Sequence, residues 1–412
     1  MSAITKQKSI LFRIWTFPGY CETFLLSQVA IAIKSGYRVK ILVENLQNLD
    51  RGVHKEIVEQ YDLREKIIVE DYNIPDTKII RFLNATRIFM KFVAYSGFRR
   101  FLEKSDGTII KKIYQFNFLK KLNDYDIVHV QYGTNVKPLD VLKEGGVLKS
   151  KLVVSFHGHD LYFPINGQIP NNGYYDRTFK HSDLLVVNTF YLRSILVGLG
   201  ASEDKIKTIP VSVDTDFFWP EKEKKRNDRI KVITVGRLEI FKGQNFGIEC
   251  IARLIDEGYS IDYLLIGDGT QRSSLANLIE EKNIANYVTL LGPKTQEEIR
   301  LYLQEQDIFL MTSVTDPSYG VESQGLVTAE AQATGLPVIA FDSGGVRYTL
   351  KNGETGYLVP EKDVDAMVSR IRRLIIDSEL RKQMGQNAVK FVKDNFSQKT
   401  VREQWSAVYG VL

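Results

Sequence analysis

Cysteine is scarce in this 412-residue chain: there are only two, Cys21 and Cys250, far apart and in no metal-ligand spacing. No disulfide framework is implied, and a reducing compartment fits. No uninterrupted apolar run approaches the ~18 residues of a membrane span. The opening MSAITKQKSILFRIW lacks the apolar stretch and small-residue cleavage site of a secretory leader. Together these absences predict a cytoplasmic protein. Low-complexity tracts and short-period repeats are missing too. What is present is ordinary for a globular chain, with 44% apolar and 25% charged residues. Its length suits two or three domains at roughly 150 residues each.

One scarcity is local. The stretch GVESQGLVTAEAQATGLPVIA, from Gly320 to Ala340, carries Glu322 and Glu330 but no basic residue to pair with them. Charge is skewed the other way between Arg81 and Leu122. Ten basic residues there (Arg81, Arg87, Lys91, Arg99, Arg100, Lys104, Lys111, Lys112, Lys120, Lys121) face only Glu103 and Asp106. That local +8, set against a net charge of +5, leaves −3 for the rest of the chain. The excess belongs to one surface and not to the whole molecule.

Strand-like apolar runs alternate with amphipathic segments of helix length along most of the sequence: ILFRIW, then ETFLLSQVAIAIKSG, then RVKILVE, and so on to IKTIPVSV. Such units predict an α/β fold of parallel sheets with helices on both faces. The charged, proline-bearing DTDFFWPEKEKKRNDR reads as a linker, after which the alternation restarts with IKVITVG. Two doubly wound domains are expected, over 1–213 and 214–388, followed by a C-terminal helix over 389–412, with residues 378–412 helical throughout. Ligands of open α/β sheets bind beyond the carboxyl ends of the strands, so the loops after strands are the ones to read.

Three such loops stand out in the second half. VGRLEIFKG follows a strand and supplies Gly236, Arg237 and Lys242, cations suited to phosphate oxygens or simply to solvent. LLIGDGT follows the next, where Gly267 and Gly269 allow close backbone approach without the full dinucleotide fingerprint. After DIFLMTS, a helix is expected to begin near Gly325 or Leu326 and to end at Gly335. Glu322 then lies in the loop at the helix mouth and Glu330 inside the helix. Both can border one cavity. Carboxylates accept from vicinal hydroxyls, and helix N-termini favour anions. A ligand with both parts is a nucleotide sugar.

These loops, in this order, resemble those of the retaining glycosyltransferases of family 4, which have the GT-B fold. The likeness is carried by Glu322 and Glu330 with EAQATGLPVIA behind them, by VGRLEIFKG, by IGDGTQRSSL and by VTLLGPKTQEEI. It spans nearly the whole chain and is densest from Val232 to Pro360. The resemblance implies two Rossmann-like domains facing each other across a cleft, with the C-terminal helix crossing back to the first. It assigns Arg237 and Lys242 to the donor diphosphate, Glu330 to the ribose hydroxyls and Glu322 to the transferred sugar. Amides of Ser323, Gln324, Gly325 and Leu326 would hold that sugar, and the loop from Gly292 to Lys294 would meet the base. Gln324 stands where many members carry an aromatic residue, which leaves the sugar open. No metal or cofactor is implied beyond the nucleotide-sugar co-substrate. A nucleotide-sugar 2-epimerase of the same fold, and a non-catalytic nucleotide-sugar-binding partner, are the alternatives.

In the first half, Pro18 with Glu22-Thr23-Phe24 matches one branch of the family, with Gly19 standing where other branches carry a glycine pair. SFHGHDLYF would put His157 beside the donor sugar, with Asp160 holding the loop. His157, His159 and Asp160 taken alone could also be a metal site or a polar strand end, but no further ligand cluster accompanies them. The Asp-x-Asp triplets at Asp124, Asp214 and Asp363 read as capping or solvent-facing. The acceptor is expected to be a glycan or lipid-linked glycan, held mainly by this half. In the basic 81–122 segment, Phe82, Ala85, Phe89 and Phe92 can form one helical stripe with Arg87 and Lys91 off it. Two readings stay open: contact with an anionic membrane through residues such as Arg87, Lys91, Arg99 and Arg100, or a helical pair whose aromatics pack on the sheet. Nucleic acid is not an expected partner, because the remaining chain is acidic and shows no nucleic-acid module.

Overall fold

The computed structural model describes residues 7–18, 23–49, 55–221, 229–317 and 320–412. Gly19, Cys21 and Glu22, together with residues 222–228 of the charged linker, lie outside the described residues. The chain divides into two compact units. One comprises Met1–Val187, Leu192–Ile209 and Arg402–Leu412, the other Asn188–Tyr191 and Pro210–Val401.

The first unit is built on β1 (Ser9–Phe17), β2 (Arg38–Leu46), β3 (Ile67–Val69), β4 (Ile127–Gln131), β5 (Lys151–Phe156), β6 (Leu184–Val187) and β7 (Ile206–Thr208). They pair in the order β3-β2-β1-β4-β5-β6-β7, every pair parallel. Helices cover both faces of a parallel sheet. Ile10, Leu11 and Phe12 are therefore all fully buried despite pointing alternately up and down. Where the strand order reverses, between β1 and β4, a buried ion pair fixes the crossing. Arg13 on β1 meets Glu70 through two parallel bonds of 3.0 and 2.9 Å and donates to the carbonyls of Asn135 and Lys137.

Three helices, not a pair, fill the basic segment between β3 and β4: Lys78–Phe92, Ser96–Lys104 and Ile109–Leu119. Phe92, Phe98 and Phe101 pack around Phe116 at ring distances of 4.7 to 5.4 Å, all four buried. The expected stripe holds in part, since Ala85 and Phe92 are buried and Phe89 is partly covered, but Phe82 points to solvent.

The second unit repeats the plan with β8 (Ile230–Val235), β9 (Ile261–Ile266), β10 (Val288–Gly292), β11 (Ile308–Met311), β12 (Val338–Phe341) and β13 (Gly356–Val359). Their order is β10-β9-β8-β11-β12-β13, again wholly parallel, with the reversal between β8 and β11. Two clusters fill its faces, one around Ile248, Tyr263 and Met367, the other around Phe309, Ala329 and Val392. Cys250 belongs to the first, where burial pushes its thiol up to about 12 and leaves it inert.

The tail expected to be continuously helical breaks after Asn395, giving Ser378–Asn395 and Gln398–Val411. The break has a local cause. The Phe396 carbonyl turns aside to accept from the Val213 amide, and the Ser397 hydroxyl accepts from the Thr400 amide to start the last helix. The final residues complete the first unit. Trp405 and Tyr409 stack on each other against His129 of β4, and the Lys8 ammonium donates to the carbonyls of Tyr409 and Gly410.

His129 has no exposure to water. Its Nδ1 lies 2.7 Å from the Tyr409 hydroxyl and its Nε2 2.7 Å from that of Ser155. Burial, with a smaller push from His157, drives its imidazolium down to about 3, so the ring is neutral. Tyr409→Phe should therefore cost about 1–3 kcal/mol, because one buried ring nitrogen loses its partner, as read by urea unfolding. For a base whose folded value lies below the unfolded one, the unfolded chain takes up the proton first. The wild type should accordingly lose stability as pH falls from about 6.5 towards 3, a slope that a flat profile would contradict.

Candidate donor site

The reversal between β8 and β11 is where a doubly wound sheet offers its carboxyl edge to a ligand. Three strand exits are laced together there. The Gly236 amide donates to Ile266 at 2.9 Å, Leu238 to Asp268 at 2.9 Å, Gln271 back to Leu238 at 2.8 Å, and Gly267 to Gly292 at 3.0 Å. Gly267 and Gly269 were expected to admit a ligand. Both let the neighbouring loop come close, since a Cβ at Gly267 would collide with the Gly236 carbonyl and one at Gly269 with Leu238. Their service is to hold Arg237 in place. The Arg237 side chain is exposed, its guanidinium 5.8 Å from the Phe241 ring centre, and its carbonyl accepts from the Gln244 side chain.

A short turn, Ile240–Lys242, ends in Gly243 at φ +61°, where a Cβ would strike the Thr312 carbonyl. Only glycine fits there. Sequence reading passed over Gly243, and its place directly after Lys242 was the available signal. The loop is then pinned to the exit of β11, with the Thr312 hydroxyl donating to the Lys242 carbonyl and the Val314 amide to that of Phe241. Lys242 is thereby aimed at Glu322, and its ammonium forms an ion pair with Glu322 Oε2.

That contact answers the missing local partner of the glutamate, because the cation comes from a loop 80 residues away. The other carboxylate oxygen accepts from the Gly325 amide at 3.2 Å, and the Glu322 carbonyl accepts from Gly345 at 2.8 Å. Burial alone would raise the carboxyl. Lys242, the Gly325 amide and the charge of Arg237 overcome it and hold Glu322 below the usual carboxylate range. Glu322 is therefore an anion that neutralises Lys242.

The helix Leu326–Ala333 begins at Gly325 and stops before Gly335, which has φ +84°. Glu330 sits more than a turn inside it. Among the described residues no cation or donor offsets its burial, which pushes the carboxyl up to about 7. A partly buried acceptor without a donor is suited to hydroxyls. Ser323 gives its carbonyl to the Thr189 hydroxyl at 2.9 Å. Gln324 is buried and fully engaged, its amide exchanging bonds of 2.9 and 3.1 Å with the Val211 backbone. It acts as a clamp on 210–213, which sequence alone did not reveal. Leu326 is the first helical residue. The Lys294 ammonium lies 3.4 Å from Glu298 on the helix that follows β10.

In the first unit, His157 follows β5. Its Nε2 meets Gln131 Oε1 at 2.9 Å, and burial together with His159 drives the imidazolium down to about 3. Asp160 does hold the loop, accepting from the amides of Gly133, His157 and Gly158 at 2.7 to 3.0 Å. Those bonds occupy both its oxygens. Among the described residues no three His, Cys, Asp or Glu gather as metal ligands. The three triplets serve locally: Asp363 caps a helix, Asp214 closes a turn, and Asp126 binds Ser9.

Two family models cover adjoining parts of the chain, Glycosyltransferase Family 4 over 72–217 and Glycosyl transferases group 1 over 216–391. The chain is a family 4 glycosyltransferase. This glycosyltransferase is 28% identical to the amylovoran biosynthesis glycosyltransferase AmsK of Erwinia amylovora, over 89% of its own length and 90% of the relative's. It is 32% identical to a D-inositol 3-phosphate glycosyltransferase of Corynebacterium jeikeium, over 50% and 52%. Its fold matches the crystal structure of Anabaena Alr3699/HepE in complex with UDP and glucose, with a TM-score of 0.67, 18% identity, and 98% and 100% of the two chains covered. The likeness establishes the GT-B fold of the glycosyltransferase.

The raised Glu330 carboxyl has a measurable consequence. A folded value above the unfolded one means that the native enzyme holds its proton longer, so this group costs stability as pH rises from about 4.5 through 7. Glu330→Gln should stabilise the ligand-free enzyme at pH 8, by ~3 kcal/mol at most, and change little at pH 5. Thermal unfolding at the two pH values reads the difference, and equal shifts at both would show that Glu330 is not buried as an acid.

Proposed function

We propose that this enzyme is a retaining, metal-independent transferase moving a sugar from a nucleoside-diphosphate donor to a glycan or lipid-linked glycan acceptor in exopolysaccharide biosynthesis. The reading rests above all on one observation: Lys242, Arg237 and Glu322 converge at the N-terminus of the Leu326–Ala333 helix, where the second sheet reverses. The leaving diphosphate displaces Glu322 from Lys242 and takes the ammonium, the Arg237 guanidinium and the helix-terminal amides as its counter-charges. These groups stabilise the departing nucleotide while the anomeric carbon becomes cationic. Glu330 accepts from the ribose hydroxyls in its ionised form, and Glu322, freed from Lys242, faces the transferred sugar. His157, neutral at working pH and with its Nε2–H given to Gln131 Oε1, keeps Nδ1 to accept from a hydroxyl of that sugar and brings no charge.

The similarity to AmsK supports polysaccharide assembly, and the UDP complex of the Anabaena protein makes a uridine nucleotide the first donor to try. We infer a cytoplasmic enzyme that meets its acceptor at the inner face of an anionic membrane. Among the described residues no helix is long and apolar enough to cross one.

Lys242→Ala should slow turnover roughly a hundredfold or more with every donor used, in EDTA as in its absence. UDP-, GDP- and ADP-sugars screened by thermal shift in EDTA should single out one base. A true donor at ~100 times its Kd adds about 2.7 kcal/mol, and both Lys242→Ala and Glu330→Ala should abolish that shift. A shift that needs a divalent metal, or none with any donor, would overturn the reading.

A further inference from the structure

The helix Lys78–Phe92 has two apolar faces, and the fold uses only one. Ala85 and Phe92 are buried against the rest of the aromatic segment. Turned away from them, Ile79, Phe82, Leu83 and Met90 are 72%, 64%, 61% and 68% exposed. At 100° per residue, Ile79, Leu83 and Met90 fall within about 40° of one another, roughly opposite the buried pair. They form a ridge interrupted by Thr86, with Phe82 along one flank and Ile80, Arg87 and Lys91 along the other. Single exposed apolar residues are common, but five on one helix, Ile80 at 49% among them, are a surface that something covers.

We infer that this ridge docks the enzyme on the surface of an anionic lipid bilayer, with the helix lying in the plane of the headgroups. Charge selects the occupant. The helix contains Lys78, Arg81, Arg87 and Lys91 and no acidic residue. The following Ser96–Lys104 helix adds Arg99 and Arg100, both exposed. A second copy of this chain would bring the same positive charge to the interface and be repelled. An anionic leaflet attracts each such cation while the ridge enters the acyl boundary. A polar bond ties down the buried side, where the Tyr114 hydroxyl donates to the Arg81 carbonyl at 2.9 Å. The helix is therefore held in place by its inner face while its outer face stays free.

A membrane-bound acceptor gives the ridge its use, and to that extent the inference rests on the reading above. The test keeps the two apart by omitting donor and acceptor. The full chain is sedimented with vesicles of phosphatidylcholine alone and of phosphatidylcholine with phosphatidylglycerol, at low and high salt. It should bind the anionic vesicles, and bind them more weakly at high salt. The triple variant Ile79→Ser, Leu83→Ser, Met90→Ser should lose binding by roughly tenfold or more, and Arg87→Glu with Lys91→Glu should abolish the preference for phosphatidylglycerol. These side chains are exposed, so circular dichroism and thermal unfolding should match the wild type. Absence of vesicle binding, or binding that neither variant weakens, would overturn the inference. So would a dimer in light scattering that the triple variant dissolves, which would make a second copy the occupant.

Discussion

A strand paired in parallel on both sides and covered on both faces has only its ends to offer to water. The inner strands of both sheets are of this kind, so polar groups that could act on a ligand come from the loops at strand ends and from the helices those loops lead into. The reversal of strand order gathers those loops. In the second unit it brings the exits of β8 and β11 side by side, and the lacing of Gly236, Leu238 and Gly267 to their neighbours leaves the loops little freedom. Arg237 and Lys242 then stand on backbone that is already fixed before any donor arrives, which is what electrostatic stabilisation of a leaving group requires.

The Lys242–Glu322 pair makes that arrangement tolerable in the free enzyme. An ammonium taken largely out of water is costly unless paired. Glu322 provides the pairing through one oxygen and uses the other on Gly325, so neither partner is stranded. Glu330 has no such compensation and stays partly protonated near neutrality. The two glutamates of one motif are thus in opposite electrical states, one fixed as an anion by its neighbours and the other kept close to neutral by its surroundings.

Much of this was legible in the chain. The alternation of strand and helix gave the sheets, because buried parallel strands are dense in Val, Ile and Leu. Glu322 and Glu330 stood out because their stretch has no basic residue to pair with them, and Arg237 and Lys242 because their loop follows a strand end. What could not be read was pairing at long range. Nothing in the sequence links Lys242 to Glu322, and the bonds of the Gln324 side chain to both backbone groups of Val211 had no signal either. Gly267 and Gly269 were singled out for close approach, and the neighbouring loop does come close to both. The aromatic segment divided in a way composition could not foretell: Phe98, Phe101 and Phe116 form a core, while Phe82 faces outward.

The first unit closes only with residues Arg402–Leu412, which set Trp405 and Tyr409 against His129. On the ribosome its sheet is synthesised first, yet it must wait for the whole second unit before its last wall arrives. At 5–20 residues per second that delay is roughly 10–40 seconds, during which the His129 face of the nascent sheet is uncovered. The part of the enzyme that is made first is therefore finished last, and it is the part with most to gain from a chaperone during translation.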